Sequence, residues 1–346
     1  MNNHEILLII FVFSILLNFL FKKITFLCDR KIHSQHKNFI ESKSKIPFSG
    51  GILLLITLLI FIPNHHQLIY KIFLIIIFLT GFMSDINYLN SPNKRFVIQV
   101  IAVVIFVIIS RNLVNSVRLE FFDILLKSYL FKIFFSSFCI LILINGTNFM
   151  DGVNTLAIGY YLLISIFLIN LILNLNDVSI SISILYILAF SLFTLFVLNL
   201  LNLLYLGDNG AYLISFIFAI YLINLQSNIN YISPYYIVNL LWYPAYENFF
   251  SIIRKIKNSE SPLKPDNKHL HHLLFSFLKK KLNMDVKILN SLTGIIINLF
   301  NCFIFFLATN HFWNTKYQIS ITFLSLIIYN LLYIILLSYN SKKKLS

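Results

Sequence analysis

Five short polar stretches interrupt an otherwise apolar chain, and each carries residue types suited to phosphate or metal chemistry. Asp208 lies in Leu206-Gly207-Asp208-Asn209-Gly210, between two long apolar runs. A carboxylate at a membrane helix end is costly unless it is used, although this stretch alone also suits a plain Asp/Asn/Gly turn. The segment from Asn145 to Asn154 crowds Asn145, Asn148, Asp151 and Asn154 together. Asn148 and Asp151, three apart, share one face of a helical turn. Amide and carboxylate oxygens suit a hard cation such as Mg2+, which takes one or two protein oxygens plus substrate phosphates. Asp85 is followed by Lys94 and Arg95, a carboxylate for metal or proton and cations for phosphate. The alternative there is a polar helix end with ordinary loop cations. Gly50 and Gly51, after Pro47, would let a backbone approach a ligand closely, or would mark only a helix start. The last stretch runs from Arg254 through Lys264 to His269, His271 and His272. With no cysteine nearby it is short of ligands for a zinc site. Beside Arg and Lys, the histidines suit binding a diphosphate or relaying a proton, with a solvated basic loop as the alternative.

The apolar runs must position these groups. Mean hydropathy is +0.83 and 58% of residues are hydrophobic, with 36 Phe, which excludes a soluble globule. Reading runs long enough to cross a bilayer predicts eleven spans: 5–22, 47–62, 68–84, 96–112, 130–146, 153–174, 179–203, 211–226, 235–253, 288–308 and 318–339. The chain therefore reads as one all-α polytopic membrane domain over 1–346. The first span lacks a basic lead and a small-residue cleavage site, so it reads as a retained helix. Cys28, Cys139 and Cys302 are scattered and imply neither disulfides nor zinc.

The net charge of +14 would suit nucleic acid, but its placement argues against that partner. Of the 27 Lys and Arg residues, 21 fall in alternate inter-helix segments or the C-terminal tail, and 6 fall on the other side. That bias puts the N-terminus outside and the C-terminus in the cytoplasm, as eleven spans require. It also fits anionic membrane lipid. Every polar stretch then lies on the cytoplasmic side, in loops near 23–45, 84–95, 145–154, 206–211 and 254–287. Such convergence describes an active site assembled at a membrane surface.

Taken in order, these stretches resemble the polyprenyl-phosphate N-acetylhexosamine-1-phosphate transferases, the WecA/MraY-type membrane enzymes. The resemblance runs from Pro47-Phe48-Ser49-Gly50-Gly51 through Asn148 to Asn154 and Leu206 to Gly210, and ends at Pro265 to His272. It implies ten or eleven helices, with Asp208 and Asn148 holding Mg2+, or Mn2+ in its place. It places Asp85 and Asp151 in an acidic cluster around the acceptor, and sets Arg254 with His269, His271 and His272 on the donor diphosphate. Two positions depart from the family pattern: Ser84 and Asn154 stand where acids are usual.

The implied reaction passes a sugar 1-phosphate from a UDP-sugar to undecaprenyl phosphate, releasing UMP, as the first membrane step of a cell-envelope glycan. His269-Leu270-His271-His272 is closer to the N-acetylhexosamine branch than to the peptidoglycan branch, so a donor such as UDP-N-acetylglucosamine is expected. The implied setting is the bacterial inner membrane, and a homodimer is compatible with it. The rival reading is a transporter or flippase of lipid-linked sugars, which should place polar groups near the bilayer midplane.

Overall fold

A computed structural model describes residues 3–25, 27–28, 46–61, 68–175, 182–260 and 268–342, without the side chains of the first and last few. Lys264 and most of the predicted 23–45 loop lie outside the described residues. Thirteen helices appear among the described residues: α1 (Asn3–Ile24), α2 (Gly50–Phe61), α3 (Leu68–Asp85), α4 (Pro92–Ser110), α5 (Glu120–Leu125), α6 (Tyr129–Met150), α7 (Leu156–Leu175), α8 (Ile182–Leu200), α9 (Gly207–Asn228), α10 (Pro234–Lys257), α11 (Leu270–Lys281), α12 (Val286–Asn310) and α13 (Thr315–Lys342). A lone backbone bridge between Cys28 and Pro47 is the extended pairing seen among them.

Each of the eleven predicted spans coincides with a helix. Eight of these helices (α3, α4, α6, α7, α8, α9, α12 and α13) are long and apolar enough to cross a membrane by length and composition. Of the other three, α2 and α10 differ for physical reasons. α2 has 12 residues, which is about 18 Å of helix against a hydrocarbon core of about 30 Å. α10 carries Glu247, Arg254, Lys255 and Lys257. α5 and α11 had no counterpart among the spans, because one is short and the other is amphipathic with three lysines in its last turn.

α9 is the central helix and packs against α2, α3, α6, α7 and α10. It is apolar nearly all round, as a fully enclosed helix must be, and Gly210, Ala211, Ser215 and Ala219 are buried along it. Small residues of this kind let membrane helices approach closely. α10 carries Pro244 inside it, which supplies no N–H to the carbonyl of Leu240. The buried Tyr160 hydroxyl on α7 donates to that carbonyl at 2.8 Å, so the break is compensated and α10 continues.

Alternating helix directions give the bundle two chemically different ends. At one, Arg118 ties three connections together, donating to Trp313 O at 3.1 Å, Thr315 Oγ1 at 2.9 Å, Asn230 O at 2.8 Å and Ile232 O at 3.3 Å. At the other lie the ends of α3, α6 and α10 and the starts of α4, α9 and α11. That second end holds the polar stretches picked out above.

Candidate active site

The first turn of α9 is built by residues from three other helices. Gly207 opens it with φ +76, a conformation that side chains resist, and a Cβ there would also come within 2.9 Å of Asp85 Oδ2. Asp85, the last residue of α3, accepts from the backbone N–H of Asp208 at 3.0 Å through Oδ1. Its Oδ2 accepts from Asn209 N at 3.0 Å and Asn209 Nδ2 at 2.5 Å. Those N–H groups are among the four that a helix start leaves unmatched, so Asp85 caps α9 from a different helix.

Asp208 itself points away from its own turn. Its Oδ2 accepts from Ser84 Oγ at 2.7 Å and from Arg95 Nη1 at 2.7 Å. Arg95 also donates to Ser84 Oγ and, at 3.4 Å, to the Tyr212 hydroxyl. The Asp208 side chain is 18% exposed and that of Arg95 17%. Ser84 therefore occupies the junction between the acid and the cation, where a carboxylate would meet Asp208 head on.

The second cluster is made by the end of α6, the last turns of α10 and the start of α11. His269, the residue just before α11, is buried together with His271 and His272. Its ring stacks with Phe149, with centroids 5.4 Å apart, and with His271 at 5.6 Å. Gly152 closes the cluster from the other side, since a Cβ there would come within 2.2 Å of His271 Nε2. Lys255, also buried, sits over the Phe149 ring at 5.6 Å. Arg254 donates to the carbonyl of Lys268 at 2.6 Å and to the Tyr333 hydroxyl at 3.1 Å, which fixes the approach to the histidine run. Glu247, fully buried on α10, places Oε2 2.9 Å from His269 Nδ1.

The structure thus gathers Asp85, Arg95 and Asp208 in one network, and Arg254, His269, His271 and His272 in another. Asp151 ends α6, its N–H donating to Thr147 O at 3.1 Å. The other candidates have the following surroundings. Gly50 and Gly51 are buried, and a Cβ on Gly51 would come within 2.0 Å of Asn209 Oδ1. The close approach these glycines permit in the structure is to the start of α9. Asn145 and Asn148 lie on α6, which runs to Met150, and the Asn145 amide donates to Leu141 O in its own helix at 2.9 Å. Lys94 is exposed beside the inserted Arg95.

Asn154 is explained by its surroundings. Its amide nitrogen donates to Asn199 O at 3.0 Å and to Asn202 Oδ1 at 2.8 Å, bonds a carboxylate cannot make. Glu247 and Phe149 join the site without being among the candidates above, and Ser84, noted there only as a departure, bonds Asp208 directly. A lone acid inside an apolar run was the available signal for Glu247.

The Mg2+ implied by the resemblance can be tested against the donor set. Among the described residues, no three His, Cys, Asp or Glu side chains are grouped to hold a metal. Asp208 Oδ1, however, accepts no hydrogen bond from them, and neither does the half-buried Asn148 side chain make one. A carboxylate oxygen and an amide oxygen without hydrogen bonds are donor types that suit Mg2+, which completes its shell with water and phosphate.

Comparison with known proteins bears on the same region. Residues 67–226 match glycosyl transferase family 4. The chain is similar to the undecaprenyl-phosphate alpha-N-acetylglucosaminyl 1-phosphate transferase of Thermotoga maritima, 24% identical over 229 residues, 66% of this chain and 67% of that one. A probable undecaprenyl-phosphate N-acetylglucosaminyl 1-phosphate transferase of Bacillus subtilis is 26% identical over 208 residues, covering 58% of this chain and 56% of its own length. The undecaprenyl-phosphate alpha-N-acetylglucosaminyl 1-phosphate transferase of Salmonella typhi is 26% identical over 279 residues, 78% of this chain and 75% of that one.

Proposed function

We propose that this chain, which is similar to glycosyl transferase family 4 over residues 67–226, transfers N-acetylglucosamine 1-phosphate from its UDP derivative to undecaprenyl phosphate, releasing UMP. The observation that carries this reading is the convergence of an acid–arginine network and a buried histidine cluster at one end of the bundle. That end, by the distribution of basic residues, faces the cytoplasm. There a water-soluble nucleotide and the head of a lipid can meet, while the isoprenoid tail stays among the apolar helix flanks.

An oxygen of the acceptor phosphate attacks the sugar-bearing phosphorus of the donor. The new anhydride P–O bond forms as the old one breaks, and UMP leaves with the electron pair. A phosphate monoester has a second pKa of about 6, so the nucleophile is already ionised at neutral pH. With no strong base required, the protein's task is to bring two anions together in line. Arg95, Arg254 and the histidines supply positive or donor groups, and Asp208 with Asn148 would hold Mg2+. When bound, that ion supplies charge neutralisation across the two phosphates. Asp151 stands beside the histidine cluster as a further acid, and Asp85 acts by holding the first turn of α9 and, through it, Asp208.

Purified protein supplied with UDP-N-acetylglucosamine, undecaprenyl phosphate and Mg2+ is expected to release UMP. EDTA should stop the release and added Mg2+ should restore it. Asp208→Ala should lower turnover at least about a hundredfold, the scale of deleting one preorganised electrostatic element. Failure to release UMP from any UDP-sugar, or turnover of only a peptide-bearing muramyl donor, would overturn the respective part of this reading.

A further inference from the structure

Glu247 is an ionisable side chain with no solvent exposure, set on α10 well inside the bundle end. A carboxylate in such a place is retained only with donors around it. Three reach it. His269 Nδ1 is 2.9 Å from Oε2, and Oε1 accepts from the Leu270 backbone N–H at 3.2 Å and the Tyr243 hydroxyl at 3.2 Å. Tyr243 and Glu247 are four residues apart on one face of α10, and His269 and Leu270 are neighbours at the mouth of α11. The His269 ring also stacks with Phe149 and with His271.

Resting on the transfer reaction proposed above, we propose that Glu247 is a positioning residue that keeps the proton on His269 Nδ1 and so commits Nε2 to the donor diphosphate. A carboxylate can only accept, so the nitrogen facing it must carry hydrogen. Which ring nitrogen is protonated is set by the bond the other one makes. Glu247 takes the Nδ1 edge of the ring, so Nε2 is the nitrogen assigned to substrate. His271 and His272 pack ring to ring with centroids 4.1 Å apart.

The geometry also supplies an isosteric test. In Glu247→Gln, the Leu270 N–H can only donate and so keeps the amide oxygen on its own side. The amide NH2 is then turned toward His269 Nδ1, which must accept. The substitution should therefore invert the ring's proton placement with almost no change in shape.

The experiment uses full-length protein in detergent with 15N-labelled histidine, the His269 signals being assigned by their loss in His269→Asn. Wild-type protein is expected to show Nδ1 protonated at pH 8, Glu247→Gln to show it unprotonated, and Glu247→Asp, again acceptor-only, to restore it. In parallel, kcat for UMP release should fall about tenfold to a hundredfold in Glu247→Gln, the range for losing a group that orients a ligand. An unprotonated Nδ1 in the wild type, or a protonated one in Glu247→Gln, overturns the proposal. So does a folded Glu247→Gln protein with wild-type kcat, which would make Glu247 a structural brace. If Glu247→Gln fails to fold, the wild-type and Glu247→Asp spectra decide. Wild-type protein that releases no UMP sinks the transfer reading, while the spectra still judge the pair.

Discussion

Asp85 engages both carboxylate oxygens with the first turn of α9, whereas Asp208 leaves Oδ1 open and anchors Oδ2 on Ser84 and Arg95. The two acids should therefore fail differently when removed. Asp85→Ala strands two backbone donors and an amide, and hydrogen bonds to a charged group contribute about 1.5–3 kcal/mol. Its thermal midpoint in detergent should drop clearly, with activity lost in proportion to folded protein. Asp208→Ala should keep a midpoint closer to wild type while losing turnover per folded molecule. If Asp85→Ala were as stable as wild type yet inactive, Asp85 would act on substrate and the capping role would be secondary. Ser84 belongs to the same balance. Ser84→Asp would place a second carboxylate against Asp208, and like charges that close oppose joint ionisation. Its stability should fall in metal-free buffer and recover on adding Mg2+; indifference to the ion would argue against a metal at Asp208.

The helices matter here through how closely their ends approach. α2 meets the start of α9 at Gly51, where any side chain would strike Asn209. Gly51→Ala must push the two helices apart, and overpacking of this kind costs about 1–3 kcal/mol. A lowered thermal midpoint with Asp208 displaced from Arg95 is the expected outcome; an unchanged midpoint and rate would mean that α2 moves freely. α10 poses the opposite problem. Pro244 leaves the Leu240 carbonyl to the Tyr160 hydroxyl, so Tyr160→Phe buries that carbonyl unpaired. The cost of an unmet buried group is about 1–3 kcal/mol, and calorimetry of the purified variant would read it. Since the same helix carries Glu247 and Arg254, that variant should also perturb the histidine cluster.

At the scale of the whole molecule, the separation of ends is the feature that makes the chemistry workable. Arg118 and its carbonyl partners close one end, and the acids, amides and histidines occupy the other. A carrier would need polar groups near mid-depth, which is not where these clusters sit. The orientation can be tested with single cysteines in a background lacking Cys28, Cys139 and Cys302. Ser259→Cys, in an exposed turn after α10, should resist an impermeant thiol reagent in intact cells and react after permeabilisation. Asn314→Cys, between α12 and α13, should react in intact cells. The reverse pattern would put the candidate site outside the cell, away from any nucleotide-sugar pool.

Apolar run length and the placement of basic residues predicted, from sequence alone, the helices that dominate the described residues and the polar stretches between them. Those properties are local: transfer of a side chain between water and lipid depends on the side chain and its near neighbours. The polar motifs likewise marked Asp208, Arg254 and the histidine run as candidates for phosphate chemistry. Only the tertiary structure decided which partners each group meets. Asp85 meets α9 across 123 positions, Arg95 meets Asp208 across 113, and Glu247 meets His269 across 22. No periodicity records such pairings, because they arise from how helix ends converge. The same convergence assigned Gly51 to helix contact and made Asn154 an amide that donates twice. Residue type limits which bonds a group can make; packing selects which of them it makes.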